Sequence, residues 1–207
     1  VFRREVIGDF ADTYARGDAV AFRFYGAPDF KDSSRQIAYV GQGGLGLPTA
    51  DYYSKPDFAK IREAYVAHIA RTLQLVGVDA ADAQAQAKAV MAFETRLAGA
   101  SLVPTELRKP ENRYHYVSIT DADKATPHFE WTAFFKAQGA NVTDGFSLSH
   151  PKFFAEFDKM LADVPVSDWQ AYLRFHAVDN AAPYLSKAFQ QEDFDFNAKA
   201  LNDQRSE

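Results

Sequence analysis

The chain has 207 residues, a formal net charge of −5, 47% hydrophobic residues and no cysteine. This composition is typical of a folded globular protein and argues against disorder. The lack of cysteine excludes disulfides and thiolate zinc sites. Lys and Arg are scattered rather than clustered, so nucleic acid is not expected as a partner. No apolar run reaches the roughly 18 residues of a membrane span.

The N-terminal region predicts a helix followed by a β-hairpin. Apolar residues at helical spacing predict a helix over residues 1–16. Alternating, aromatic-rich segments then predict two strands, Ala19–Tyr25 and Gln36–Val40. A turn sequence beginning at Gly26 separates them, so we expect a hairpin with a long loop.

Helical periodicity dominates the rest of the chain. An apolar stripe predicts a first long helix over Phe58–Val76, with Asp57 as its cap. A second, alanine-rich helix should begin at Asp79 or Asp82 and end at Gly99. Further helices are predicted over Phe129–Gln138, from Pro151, from Ser167 and over Glu192–Asn202.

Three local signals refine this helical region. Ser167 and Gln170 fit a capping box that would open a helix. Pro183 should kink or end that helix, because its ring clashes with the preceding turn. Residues 139–149 are predicted to form a loop. Because no repeat or linker is visible, we expect one mainly α domain over residues 1–207, with one small β-hairpin near the N-terminus.

Two motifs suggest ligand sites but fit poorly. Gly41 to Gly46 matches the spacing G-x-G-x-x-G, yet Pro48 follows at once where a dinucleotide site needs a helix N-terminus. A structural glycine turn is the preferred interpretation. Asp193 to Gln204 imitates a calcium loop, but it has Ala198 where the loop requires glycine.

Catalytic and metal-binding residues are not assigned anywhere in the chain. The histidines show no pair three or four residues apart, and H-E-x-x-H and G-x-S-x-G are both absent. They are His68, His115, His128, His150 and His176.

The segment from Ala38 to Tyr53 is more informative than these motifs. It resembles the "D-Q-x-x-L-G-L-P-x-R-D-Y-Y" stretch of neprilysin-type zinc metallopeptidases, a family that includes neprilysin, endothelin-converting enzyme and the bacterial oligopeptidase O group. Gly41 and Ala50 stand where Asp and Arg are common in that family. Glycines and a proline suit a tight turn, so we assign a structural role to Gln42, Gly43, Gly44, Gly46, Leu47, Pro48, Asp51, Tyr52 and Tyr53.

Later segments resemble the same family in the same order. Val90 to Ala98 looks like its "V-M-x-x-E-x-x-L-A" helix. Weaker likenesses lie in the segments 113–120, 127–134 and 173–189. The likeness therefore covers nearly the whole chain.

The resemblance implies a helical, non-catalytic N-terminal domain that caps a catalytic lobe of the same polypeptide and limits substrate size. In this family the zinc ligands and catalytic glutamate lie in a later region, so zinc is expected in the parent enzyme and no cofactor in this chain. The implied partners are the catalytic lobe and peptide substrates. The lack of cysteine favours a bacterial relative, and the parent is expected to be periplasmic or extracellular. The alternative hypothesis is a free-standing helical binding domain without enzymatic activity.

Overall fold

A computed structural model of the protein describes residues 20–203. The helix expected over residues 1–16 lies outside this range. Helices dominate the described chain, which confirms the mainly α fold class. No helix in residues 20–203 combines the length and apolar character needed to cross a membrane.

Within the described range, four strands form one mixed sheet in the order β1-β2-β4-β3. The strands are β1 Phe22–Pro28, β2 Gln36–Gln42, β3 Tyr116–Ser118 and β4 Gly145–Leu148.

The helices vary greatly in length, and the two longest lie in the first half of the chain. The α-helices are α1 Asp51–Ser54, α2 Ala59–Leu75, α3 Ala80–Ala100, α4 Pro104–Leu107, α5 Pro110–Arg113, α6 Ile119–Ala125, α7 Trp131–Ala137, α8 Pro151–Asp163, α9 Val166–Ala181, α10 Lys187–Phe194 and α11 Leu201–Asp203. Short 3₁₀ helices cover Pro56–Phe58 and Ala182–Tyr184, and a π-helix covers Asp195–Ala200.

The predicted hairpin is present, with different strand boundaries. β1 and β2 pair antiparallel from Phe22 opposite Gln42 to Pro28 opposite Gln36. Gly26, predicted to break the first strand, lies inside β1, where a strand at the edge of the sheet tolerates Gly and a terminal Pro.

The predicted loop over residues 139–149 is wrong in part, because it contains β4. Every residue of β4 is buried, and the strand pairs parallel with β2 and antiparallel with β3. Its pairing partners lie far away in sequence, so local composition did not reveal a strand of only four residues.

Local signals at the helix ends gave mixed results. Asp79 caps α3 as expected, since its carboxylate accepts the backbone N–H groups of Ala81 and Asp82. The capping box at Ser167 is wrong: α9 already begins at Val166, after Pro165, so Ser167 lies inside the first turn. Asp57 does not cap α2, because it lies in the preceding 3₁₀ helix.

Pro183 breaks the helix as predicted. α9 ends at Ala181, a 3₁₀ turn carries Pro183, and α10 starts only at Lys187. The missing N–H and the bulk of the ring prevent an unbroken α-helix here.

The described residues fall into two compact units. The first unit comprises residues 20–44 and 99–164, and the second comprises residues 45–98 and 165–203. The organisation of residues 1–207 as a single domain stays a prediction.

The first unit is built around aromatic rings. The fully buried ring of Phe22 lies 5.3–5.9 Å, centroid to centroid, from five other rings. All five pairs are tilted or edge-to-face, and aromatic quadrupoles favour such arrangements over face-to-face stacking. The five neighbours are Phe129, Trp131, Phe134, Phe154 and Phe157.

The second unit combines apolar packing with buried polar groups. Phe93 of α3 packs between Trp169 and Tyr172 of α9, at 4.6 and 4.2 Å. Among the buried residues of the same unit are Glu94 and His68, which are 0% and 1% exposed. A buried charge requires partners, and the partners of Glu94 define the candidate site.

Candidate functional site

The N-terminal half of the glycine-rich segment is fixed within the first unit. The side-chain amide of Gln42 donates to the Leu102 carbonyl at 2.9 Å and accepts the Leu102 N–H at 2.8 Å. A Cβ at Gly43 would lie 3.0 Å from the Cα of Phe22, and Gly44 has a positive φ of 76°. Glycine is therefore favoured at Gly43 by close backbone approach and at Gly44 by its backbone conformation.

The C-terminal half of the segment is fixed within the second unit by Glu94. The Gly46 N–H donates to Glu94 Oε2 at 3.0 Å, and the Tyr53 hydroxyl donates to the same oxygen at 2.5 Å. The Tyr53 hydroxyl also accepts the Leu47 N–H at 2.9 Å. Two successive backbone N–H groups of the turn are thus bound by one buried carboxylate and one phenol.

Two further side chains complete this arrangement around the carboxylate. The Tyr65 hydroxyl lies 3.0 and 3.2 Å from the two Glu94 oxygens, and His176 Nε2 lies 2.8 Å from Oε1. We call Gly46, Tyr53, Glu94, Tyr65 and His176 the Glu94 cluster. A carboxylate can accept all four of these donors, so a fully buried Glu94 is well satisfied.

The two phenols of the cluster remain proton donors. The pKa values of Tyr53 and Tyr65 are both raised far above that of a free tyrosine. Burial is the main cause, and the charge of Glu94 adds to it. Both hydroxyls therefore stay protonated at neutral pH and can donate hydrogen bonds to the carboxylate. Glu94 itself is fully buried, but Gly46 is exposed and Tyr53 lines a surface pocket together with Arg62 and Met91, so part of the cluster borders the protein surface.

The remaining predicted residues of the turn have different environments. Leu47 is buried, whereas Pro48 is exposed. Asp51 forms an ion pair with Lys55 at 2.7 Å. Tyr52 is buried and stacks on Phe58 at 4.0 Å. The structural role assigned to these residues stays a prediction that mutants can test.

The two ligand-like motifs adopt structures that do not match those sites. After Gly46 the chain makes a turn and enters α1, which has only four residues and starts at Asp51. A pyrophosphate site needs a helix that opens directly from the glycines. Asp193 and Asp195 lie in α10 and the π-helix, not in a loop, and the Asp193 carboxylate accepts from Asn197.

Four of the five histidines are engaged by named groups of their own unit. His68 lies between two carboxylates, His176 binds Glu94, His128 binds the Asp158 carboxylate at 2.8 Å, and His150 Nδ1 accepts the Gln42 N–H at 2.9 Å. His115 is exposed. In residues 20–203, no group of three or more His, Asp or Glu side chains is arranged to hold a metal ion.

Comparison with protein families decides the assignment. The model of Peptidase family M13 matches residues 4–207. The chain belongs to peptidase family M13. The matched model is that of the N-terminal part of the family, and the resemblance to neprilysin-type peptidases noted in the sequence is confirmed.

Known M13 proteins resemble the chain over most of its length. It is 31% identical over 176 residues to Neprilysin-3 of Drosophila melanogaster, covering 78% of this chain and 22% of that protein. It is 25% identical over 181 residues to Endothelin-converting enzyme 1 of Cavia porcellus, covering 84% of this chain and 24% of that protein. The chain therefore spans about a quarter of the length of these relatives.

Two solved structures also match most of this chain and about a third of their own length. Zinc metalloprotease Zmp1 of Mycobacterium tuberculosis, in complex with an inhibitor, matches with a TM-score of 0.91 and 28% identity, over 96% of this chain and 31% of that one. PepO from Lactobacillus rhamnosis matches with a TM-score of 0.81 and 19% identity, over 97% of this chain and 32% of that one, which supports the fold alone.

The M13 family is zinc-dependent, so the described residues must be tested for a zinc site. Zinc needs three or four nitrogen, sulfur or carboxylate ligands converging on one point. The chain has no cysteine, and its described residues contain no such grouping. These residues do not fit zinc, and no step of zinc chemistry can be assigned to them.

Two segments that carry the M13 resemblance meet at the Glu94 cluster. The turn contributes Gly46 and Tyr53, and the α3 segment Val90 to Ala98 contributes Glu94. Sequence reasoning placed Glu94 in a helical stripe without assigning it a role. A single carboxylate in the stripe of Ala83, Ala87, Val90 and Leu97 was the available signal, since such a residue must find buried donors.

Proposed function

We propose that this chain is the non-catalytic N-terminal domain of an M13 zinc peptidase, which caps the catalytic lobe and limits the size of the peptides that enter. One observation carries the proposal: the chain matches Zmp1 over 96% of its own length but only 31% of that enzyme's. Metal chemistry then belongs to the rest of the enzyme, and the chain's share is to enclose substrate and exclude water.

Exposed aromatic side chains support a partner surface on this chain. In the first unit, Phe30 is 70% exposed and Tyr25 is 52% exposed. In the second unit, Tyr184 is 88% exposed and Phe194 is 52% exposed. Exposed large apolar side chains can serve interaction sites, and a covering lobe of the same polypeptide is the partner proposed here.

The first experiment tests the chain by itself. Purified chain is incubated with a panel of quenched peptides, with and without added zinc, and zinc binding is measured by isothermal titration. We expect no turnover and no stoichiometric submicromolar binding. Chelator-sensitive turnover that follows the chain through purification would overturn the non-catalytic assignment.

The second experiment tests the capping role. A separately produced catalytic lobe is assayed on peptides of increasing length and on a folded protein, with and without this chain. We expect the two pieces to associate and the chain to restrict cleavage to the shorter peptides. A lobe that never binds the chain, and that has full activity and unchanged size selectivity alone, would refute the cap while leaving the family assignment intact.

A further inference from the structure

A second buried cluster, separate from the Glu94 cluster, surrounds His68 on α2. His68 Nε2 lies 2.9 Å from Asp179 Oδ1 on α9, and Nδ1 lies 3.0 Å from Glu192 Oε1 on α10. The His68 side chain is 1% exposed. Arg71, one turn further along α2, donates to the other Glu192 oxygen at 2.8 Å.

The geometry defines the protonation state of this histidine. Carboxylate oxygens only accept hydrogen bonds, so both ring nitrogens of His68 must carry a proton to bind them. Neutral imidazole has a single N–H, and its other nitrogen would then turn a lone pair toward a carboxylate about 3 Å away. The structure therefore assigns the imidazolium form, whose charge together with that of Arg71 balances Asp179 and Glu192.

The charged and titratable groups around His68 come from every element packed on it. α2 provides Arg71 and the Tyr65 ring, α9 provides Asp179, and α10 provides Glu192. The π-helix provides Asp195, whose charge acts on Arg71 and which is itself paired with Lys199. The only acceptors within bonding distance of His68 in the described chain are the carboxylates of Asp179 and Glu192.

Residues 187–203 are attached by this cluster and by apolar contacts, which include the buried Leu201 and the Phe196 ring at 5.3 Å from the Tyr65 ring. α10 has no buried residue, and its contact with α2 includes the bonds of Glu192 to His68 and Arg71. The following π-helix buries Phe196, whose ring stacks on the His68 ring at 4.6 Å and 13°. A π-helix within a helical segment is rare and frequently marks a functional position.

We propose that His68 is a pH-dependent latch, which in its protonated form holds residues 187–203 on α2 and weakens their attachment when it loses its proton. This regulatory role is independent of whether the chain caps a catalytic lobe. It concerns the attachment of one segment, not the stability of the whole second unit.

The direction of the pH response follows from opposing effects on His68. Burial lowers the pKa of His68, but the hydrogen bonds and charges of Asp179 and Glu192 outweigh it, and the net pKa is raised. A raised histidine pKa gives a stabilisation that is complete below the unfolded value of about 6.5 and lost as pH rises through the folded value. For Glu192, burial raises the pKa, but the hydrogen bonds and charges of His68 and Arg71 outweigh it. The net pKa is lowered, and the carboxylate stays charged through this window.

The wild-type chain provides the first test. Hydrogen exchange is measured by residue at pH 6 and at pH 8.5, with rates corrected for the intrinsic effect of pH. Protection of residues 187–203 should fall at least about threefold at the higher pH, while α3 and α9 stay protected. Equal protection at both pH values, or a uniform loss across the second unit, would overturn the proposal.

Variants identify the group responsible. His68→Gln should abolish the pH response, whereas His115→Gln, at an exposed histidine, should keep it. Glu192→Gln should also abolish it while the segment stays attached, because an amide can donate to neutral imidazole; this variant serves if His68→Gln does not fold. An NMR titration should place the His68 midpoint above about 6.5. A midpoint at or below that value, or a pH response that persists in Glu192→Gln, would refute the latch.

Discussion

His150 in the first unit and His68 in the second unit are both largely enclosed, yet their ring nitrogens meet opposite partners. His150 Nδ1 accepts the backbone N–H of Gln42, and its Nε2 is buried without a partner among the described residues. Both nitrogens of His68 face carboxylates. Burial, assisted by the charge of Arg23, lowers the pKa of His150 to about 4, whereas the pKa of His68 is raised.

The cores of the two units also differ in the residues that build them. The first is centred on the ring of Phe22 and its aromatic neighbours, and its buried Asp158 carboxylate accepts the His128 N–H. The second contains Glu94 and His68, whose partners must be correctly placed and correctly protonated. Directional networks fail when one member is lost, because the others are left buried and unpaired. We therefore expect the second unit to be the more sensitive to single polar substitutions.

The largest effect is expected for Glu94→Ala. The change leaves the Gly46 N–H, two phenols and His176 without their acceptor, and it should lower the free energy of unfolding by about 4 kcal/mol. Denaturant unfolding measures the loss. Glu63→Ala, at an exposed glutamate of α2, is the control and should change stability by less than about 0.5 kcal/mol. A Glu94→Ala loss as small as that of the control would contradict the proposed importance of the cluster.

Two substitutions at Tyr53 distinguish the contribution of ring packing to stability from that of hydrogen bonding. Tyr53→Ala removes a buried ring as well as the hydroxyl, and should cost about 3 kcal/mol. Tyr53→Phe keeps the ring and should cost about 1 kcal/mol, because the Leu47 N–H and Glu94 each lose one partner. Tyr184→Ala, at an 88% exposed ring, is the matched control. Thermal unfolding that is unchanged in Tyr53→Ala would refute a structural role for the turn.

Acid should destabilise the first unit through His150. The folded pKa of about 4 lies below the unfolded value of about 6.5, so the unfolded state binds the proton first and stability falls as pH drops between these values. The loss should be on the order of 2 kcal/mol. His150→Asn should reduce it, because an amide oxygen can accept the Gln42 N–H without titrating. Unfolding free energies at pH 7 and pH 4.5 give the comparison, and equal acid sensitivity in both proteins would exclude His150 as the cause.

A pair of glycine substitutions gives the smallest effects. A Cβ at Gly46 would collide with the Tyr65 hydroxyl, so Gly46→Ala should cost about 1–2 kcal/mol. A Cβ at Gly26 in β1 meets nothing within 4 Å, so Gly26→Ala should be neutral or stabilising by about 0.5 kcal/mol. Melting temperatures of the two variants should therefore move apart. A Gly46→Ala protein as stable as Gly26→Ala would mean that Tyr65 can shift without loss.

Local sequence signals determined much of the fold. Periodicity predicted α2, α3, α7 and α8, Asp79 marked the start of α3, and Pro183 ended α9. These features depend on residues within one or two helical turns, so a single sequence contains the information. The Gly43–Tyr53 segment likewise carried the family resemblance, because it is a continuous stretch of chain.

Tertiary structure decided the features that join distant residues. β4 is a strand only because β2 and β3 provide hydrogen-bonding partners, and its four residues have no decisive pattern. Glu94 and His68 appear in the sequence as one acid and one base in helical stripes. The residues that bind Glu94 lie 29–82 positions away from it in the sequence. Those that bind His68 lie 111 and 124 positions away. Which buried charge meets which partner depends on helix packing, and helix periodicity alone does not determine that packing.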